Sequence, residues 1–79
     1  MYTVYVLLNS DGSRRYTGMT SNLERRIKEH NAGQTKSTKN HRWKVVYQEE
    51  FIDRNSARKR EKYLKSAAGR RYLQTILAP

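Results

Sequence analysis

The sequence predicts one small mixed α/β (α+β) domain spanning residues 1–79, in which helices flank a mostly antiparallel three-stranded sheet. Three observations support this fold class. Seventy-nine residues suffice for one domain and not for two. Stretches rich in β-branched, aromatic and aliphatic residues alternate with stretches of helical periodicity. Turn and capping residues separate them, which gives the order strand, strand, helix, strand, helix, helix.

The predicted sheet begins with a hairpin. The segment YTVYVLL at residues 2–8 is typical of a strand that is buried on both faces. The segment NSDGS follows, and its Asp11-Gly12 pair is a strong hairpin signal. Residues 14–18 are expected to return beside the first strand. A polar loop at residues 34–42 then leads to a third strand at residues 43–52.

Three helices are expected around this sheet. Ser21 and Glu24 have the spacing of a capping box, so the first helix should run from residue 21 to about His30. The second is expected at residues 57–68, with caps at 53–56 and a stop at Gly69. The last is expected at residues 70–77, with three apolar side chains facing inward: Leu73, Ile76 and Leu77.

The composition indicates a polyanionic partner. Seventeen Lys and Arg against seven Asp and Glu give a net charge of +10, which favours nucleic acid first and an anionic membrane surface second. No apolar run is long enough to span a membrane, and nucleic acid rather than a membrane is the expected partner. The absence of cysteine excludes disulfides, thiolate metal sites and cysteine nucleophiles, and is compatible with a cytoplasmic location.

The second predicted helix contains an unusual acid. At about 100° per residue, Ala57, Glu61, Leu64 and Ala68 fall within one stripe of about 60°. Glu61 is therefore expected on the apolar face, although cations surround it in the sequence. A buried carboxylate requires a partner or a ligand, because an unpaired buried charge is costly.

The first predicted helix places two more polar groups beside its apolar stripe. Arg26 and His30 lie one turn apart, next to Leu23 and Ile27. Each has an ordinary explanation, since an arginine stem can run along a core edge and a helix-terminal histidine favours the dipole. Considered with Glu61, they either pair with one another or share a ligand.

A phosphodiester with a divalent metal would suit these groups. Arginine forks onto phosphate oxygens, and Mg²⁺ takes oxygen ligands and often only one or two carboxylates. Tyr5 and Tyr16 fall in the two hairpin strands, where their hydroxyls could share one face. They could equally be core residues with solvated tips.

These residues resemble the GIY-YIG nucleases, found in DNA-repair excinucleases, homing endonucleases and some restriction enzymes. Thr3-Val4-Tyr5 and Tyr16-Thr17-Gly18 look like the two-part signature of that family. Arg26 follows the glycine by eight residues, His30 follows one turn later, and Glu61 ends an A-x-x-R-E segment. The first motif lacks its leading glycine, Met19 stands where excinuclease-type members often have lysine, and after Glu61 there is Gln74 rather than asparagine.

The resemblance implies an endonuclease that hydrolyses phosphodiester bonds, with DNA favoured over RNA as the substrate and a role in DNA repair or recombination. The many basic residues, without a module that reads sequence, add the expectation of low sequence specificity or structure-guided choice. Tyr5 and Tyr16 would position or deprotonate the water, with help from His30 or the metal. Arg26 would hold the scissile phosphate, and Glu61 would carry a single Mg²⁺ or Mn²⁺.

A set of basic residues is expected to contact phosphates: Lys36, Lys39, His41, Arg42, Arg58, Lys59, Lys62 and Lys65. Such contacts carry affinity but little sequence information, so a protein partner could supply recognition. Two other interpretations remain open: a non-catalytic nucleic-acid-binding module on this fold, and a small basic ribosome-associated or RNA-binding protein.

Overall fold

The computed structural model describes residues 1–10, 12–32 and 42–77. Its elements are β1 (Tyr2–Asn9), β2 (Arg15–Thr20), α1 (Leu23–Asn31), β3 (Trp43–Phe51), α2 (Arg54–Lys65) and α3 (Ala67–Leu77). The sheet has the order β2-β1-β3, and both strand pairs are antiparallel. The predicted element order and fold class are confirmed.

The central strand β1 separates two hydrophobic cores, because successive side chains of a strand point to opposite faces. Val4 and Val6 belong to one core, whereas Tyr5 and Leu7 belong to the other. The first core is completed by α2 and α3 through Ala57, Leu64 and Leu73. The second is completed by Trp43 and, from α1, by Leu23 and Ile27. The sheet is therefore a middle layer, with α1 on one face and α2 and α3 on the other.

A buried asparagine organises the hairpin turn. The Asn9 side chain accepts a hydrogen bond from the Arg14 amide at 3.0 Å and donates to the Ser13 hydroxyl at 3.2 Å. Gly12 has a φ of 76°, a value that glycine adopts without steric cost. Asp11 lies outside the described residues, but the predicted hairpin pairing is present.

The helix ends differ from those expected. Asn22, rather than Ser21, caps α1, and its side chain accepts from the Arg25 amide at 3.1 Å. Asp53 caps α2, as the predicted capping segment implied, by accepting from the Ser56 amide at 2.9 Å. Because Asp53 is the cap, α2 starts at Arg54, three residues before the start at Ala57 that the periodicity predicted.

The expected stop at Gly69 is wrong. Ser66 ends α2, and its hydroxyl donates to the Tyr63 carbonyl and accepts from the Gly69 amide, so it also begins α3. Gly69 lies buried inside α3, so close to α2 that a Cβ at this position would overlap the backbone of α2. Ala68 thus belongs to α3 and is exposed. Ile76 is also 44% exposed rather than inward, because the buried stripe of α3 is narrow.

Two side-chain clamps fix the helices to β3. Asn31, the last residue of α1, bonds both backbone groups of Trp43, at 2.7 and 3.2 Å. Trp43 itself is only 5% exposed and packs in the core. On the other face, Arg60 of α2 pairs with Glu49 at 3.0 Å and lies over two tyrosine rings of α2 and α3. Among the described helices, none is long and apolar enough to cross a membrane.

Candidate active site

Tyr5 and His30 form a buried pair on the α1 face of the sheet. Tyr5 is in the middle of β1 and 1% exposed, and His30, near the end of α1, is fully buried. The Tyr5 hydroxyl lies 3.1 Å from Nε2 of His30. This contact joins the centre of the sheet to α1 through a polar bridge.

Gly18 makes room for the Tyr5 hydroxyl. It lies directly opposite Tyr5 in the β1–β2 register. A Cβ at this position would be 2.8 Å from the Tyr5 oxygen and 3.1 Å from Cε1 of Tyr16. The glycine of the Tyr-Thr-Gly segment therefore serves the close approach of the two tyrosine rings.

Tyr16 completes an aromatic group with Tyr5 and His30. Its ring centroid is 6.3 Å from that of Tyr5, in a stacked arrangement, and 4.6 Å from that of His30. Unlike Tyr5, Tyr16 is only half-buried, so it is the tyrosine that solvent or a ligand can reach.

Arg26 brings a permanent positive charge to the same face. Its side chain is 33% exposed, and its Nη1 lies 3.0 Å from a carboxylate oxygen of Glu29. The hydroxyl of Tyr5, and next the carboxylate of Glu29, raise the pKa of the guanidinium. Arg26 therefore stays charged and oriented at the border between the aromatic group and solvent.

The protonation states follow from burial. Burial raises the pKa of the Tyr5 hydroxyl, and the nearby Arg26 opposes this effect only in part. Burial, followed by the charge of Arg26, lowers the pKa of His30. Near neutral pH, Tyr5 is therefore a phenol and His30 a neutral imidazole, and the phenol can donate its hydrogen bond to Nε2.

Glu61 does not lie with the other four candidate residues on the α1 face of the sheet. It belongs to α2, which packs on the opposite face from α1. Its side chain is 18% exposed, and its Oε2 lies 3.0 Å from Nζ of Lys65. Its charge is the smallest of the effects that raise the pKa of Tyr5, so it lies within electrostatic reach of that hydroxyl.

Glu61 lines a cleft of about 530 Å³ at the Thr20 end of β2. Two arginines of α2, Arg54 and Arg58, line the same cleft together with Thr20. Within residues 1–10, 12–32 and 42–77, no group of three or more His, Cys, Asp or Glu is placed to hold a metal ion. One sheltered carboxylate still fits Mg²⁺ if phosphate oxygens and water provide the remaining ligands.

The structure divides the basic residues that were expected to contact phosphates. Lys36, Lys39 and His41 lie outside the described residues. Arg42, Lys59 and Lys62 are exposed and line neither of the clefts beside β2, whereas Arg58 and Lys65 do. Sequence reasoning missed three cleft-lining arginines: Arg15, Arg54 and Arg70. No local sequence pattern identifies these three arginines as cleft-lining residues, because each lies at or near the start of a helix or strand.

Two departures from the family pattern have a place in the structure. Met19 packs against the core shared with α2, so it supplies apolar contact where a lysine would supply charge. Gln74 of α3 lines a different cleft, beside the hairpin turn, and not the candidate active site.

This sheet, with two tyrosines, an arginine and a histidine gathered on one face, fits the GIY-YIG class of catalytic domain. The chain belongs to that family, since the sequence model of the GIY-YIG catalytic domain matches residues 1–73. It is similar to small proteins named UPF0213. One, from Clostridium perfringens, is 42% identical, with 96% of this chain and 83% of the relative covered.

The similarity extends to other bacteria and to archaea. A UPF0213 protein of Staphylococcus haemolyticus is 43% identical over 92% of this chain and 90% of the relative. Another, from Natronomonas pharaonis, is 42% identical over 80% of this chain and 75% of the relative. No solved structure gave a significant match.

Proposed function

We propose that this protein is a divalent-metal-dependent endonuclease that hydrolyses phosphodiester bonds in DNA. The observation that carries the proposal is the cluster of Tyr5, Tyr16, Arg26 and His30, with Glu61 within electrostatic reach. A basic structural protein has no need to bury a neutral histidine against a tyrosine hydroxyl beside a charged arginine. Membership of the family supports the nuclease class, and the net charge supports a nucleic-acid substrate.

Arg26 is the group suited to the scissile phosphate. It is charged at every working pH, and Glu29 restricts its orientation. A guanidinium held in this way can fork onto two phosphate oxygens and stabilise the charge that develops there. Its partial exposure lets a substrate reach it.

Tyr16 is the hydroxyl best suited to contact the attacking water, because Tyr5 is buried and its hydroxyl is directed to His30. Tyr5 and His30 then act as a support that holds the Tyr16 ring. The lowered pKa keeps His30 unprotonated, but its Nε2 lies 3.1 Å from the Tyr5 hydroxyl, so the imidazole can take up a proton only through Tyr5.

Glu61 would hold the metal ion, Mg²⁺ or Mn²⁺, together with substrate phosphate oxygens. A divalent ion bound there would lower the pKa of a water molecule and offset negative charge on the phosphate. Lys65 pairs with Glu61 at 3.0 Å, so this lysine must turn away when the ion binds. Its side chain is 55% exposed, which leaves it room to do so.

The test is cleavage of supercoiled plasmid and of branched, labelled oligonucleotides at low salt with Mg²⁺ or Mn²⁺. Wild type is compared with Glu61→Gln, Arg26→Ala and Tyr16→Phe, and Lys44→Gln serves as a control that removes a positive charge from an exposed position lining neither cleft beside β2. Cleavage that the three site variants lose and the control keeps supports the proposal. Binding without cleavage under either metal would reject it in favour of a non-catalytic nucleic-acid-binding module.

Low sequence specificity and a role in DNA repair or recombination belong to the same proposal. The net charge of +10 favours contacts with phosphates, and such contacts carry no sequence information directly. Cleavage confined to one sequence in both plasmid and oligonucleotide substrates would contradict this part.

A further inference from the structure

The outer edge of β2 is lined by cations that the catalytic cluster does not use. Among the described strands, β2 is an edge strand, so its outer side has no neighbour there. A cleft of about 420 Å³ opens beside it, lined by Arg15, Tyr16, Lys65 and Arg70 among others. At the other end of the strand is the cleft that contains Glu61, Arg54 and Arg58.

The two clefts adjoin at a single ion pair. Lys65 lines the first cleft and Glu61 the second, and their charged atoms are 3.0 Å apart. Tyr16, which also lines the first cleft, belongs to the catalytic cluster. The edge of β2 therefore runs from one basic cleft, which Tyr16 of the candidate active site helps to line, to another.

The four arginines of these clefts have no carboxylate partner in the described part of the chain, where the ion pairs involve other residues. All four are exposed: Arg15, Arg54, Arg58 and Arg70. Each cleft thus offers two guanidinium groups that can bind an anion without first breaking a salt bridge.

Helix stability does not explain two of these positions, Arg54 and Arg70. Arg54 is the first residue of α2 and Arg70 the fourth of α3; neither helix has an acid in its first turn, and the nearest acid is Asp53, the cap of α2. A cation near a helix N-terminus is unfavourable, because the helix dipole places partial positive charge there. Side chains that oppose a local stability rule are expected where function requires them.

We propose that a nucleic-acid strand lies along the outer edge of β2, with its phosphates held by Arg15 and Arg70 on one side of the candidate active site and by Arg54 and Arg58 on the other. The six residues of β2 extend about 20 Å at about 3.3 Å each. A duplex carries one phosphate per strand for about every 3.4 Å of its axis, so about six lie within this length. Because they wind through more than half of a helical turn of about 34 Å, only some of them face the edge at one time. The proposal rests on the proposed function only for placing the scissile phosphate at Arg26 and Tyr16.

The test is binding of a short labelled DNA duplex to the full chain in EDTA, so that no metal-dependent cleavage occurs. Arg15→Gln/Arg70→Gln is compared with Arg14→Gln/Arg71→Gln. The control removes the same charge one residue away in each case, from exposed positions that line neither cleft. Fluorescence anisotropy at several salt concentrations gives Kd and its salt dependence, and thermal melting checks that both variants fold.

We expect Arg15→Gln/Arg70→Gln (the groove variant), and not the control, to reduce the steepness of log K against log salt by about 1.8, or about 0.9 for each lost phosphate contact. At about 0.1 M salt its Kd should rise roughly tenfold to a hundredfold. Equal losses in both variants, or no loss in either, would overturn the proposed path. If the groove variant alone loses affinity but wild type cleaves nothing, the path stands and the nuclease proposal fails. If wild type cleaves and the two variants bind alike, only the path fails.

Discussion

Replacing Gly18 by alanine tests how closely the two tyrosines pack. The new Cβ would lie 2.8 Å from the Tyr5 oxygen and 3.0 Å from its Cζ. Tyr5 cannot easily move away, because it is 1% exposed and its hydroxyl bonds to His30. Overpacking of this kind costs about 1–3 kcal/mol. In a domain of this size, each kcal/mol lowers Tm by about 4–8 °C.

A double-mutant cycle identifies the clash that causes this loss. In a Tyr5→Phe background the closest atom is gone, and the nearest neighbours of the new Cβ are Cζ of residue 5 at 3.0 Å and Cε1 of Tyr16 at 3.1 Å. Small shifts relieve contacts of this length. The cost of Gly18→Ala should therefore fall by at least about 0.5 kcal/mol, the lower end of coupling between residues in contact.

The free energy of unfolding of all four proteins is measured by urea denaturation followed by circular dichroism. An equal cost of Gly18→Ala in both backgrounds would show that the Tyr5 hydroxyl is not the obstacle. A Gly18→Ala protein as stable as wild type would refute the packing of the site as a whole.

Three further predictions follow from the same structure. Because burial lowers the pKa of His30 below its ordinary value of 6.5, the unfolded chain binds more protons as pH falls through about 6.5. The free energy of unfolding of wild type should therefore fall toward acid pH by at most about 1.4 kcal/mol per pH unit. This pH dependence should be absent in His30→Gln. Identical plots of unfolding free energy against pH for the two proteins, from denaturation at pH 5–8, would contradict this prediction. Asn22→Ala should cost about 1 kcal/mol as a lost helix cap, whereas Ser21→Ala should stay within about 0.5 kcal/mol of wild type; thermal melts that reverse this order would restore the capping box. Mg²⁺ should raise the Tm of the protein when a cleavage-resistant oligonucleotide is present, but not when the oligonucleotide is absent. The reason is that Glu61 is paired with Lys65 and shares its cleft with two arginines. An equal rise without nucleic acid, abolished by Glu61→Gln, would show a preformed metal site.

The sequence predicted the elements well because their signals are local. Alternation and turn residues located the hairpin, and the 3.6-residue period placed His30 and Arg26 beside the apolar stripe of α1. Helix ends were predicted less well, since several side chains near each end can act as a cap. Asn22 competes with Ser21, and Ser66 interrupts a periodic pattern that continues past it.

The sequence by itself determined the strongly basic character of the protein, the order of its strands and helices, and the residue types available for a catalytic cluster. Only the tertiary structure decided that α1 and α2 lie on opposite faces of the sheet, so that Glu61 lies apart from the other four candidate residues and lines a cleft at the Thr20 end of β2. It also decided that Arg15, Arg54 and Arg70 line clefts along the edge of β2. The physical reason is that hydrophobic periodicity shows which side of a helix is buried, but not which face of the sheet the helix packs against. That choice depends on strand order, register and the packing of the whole chain.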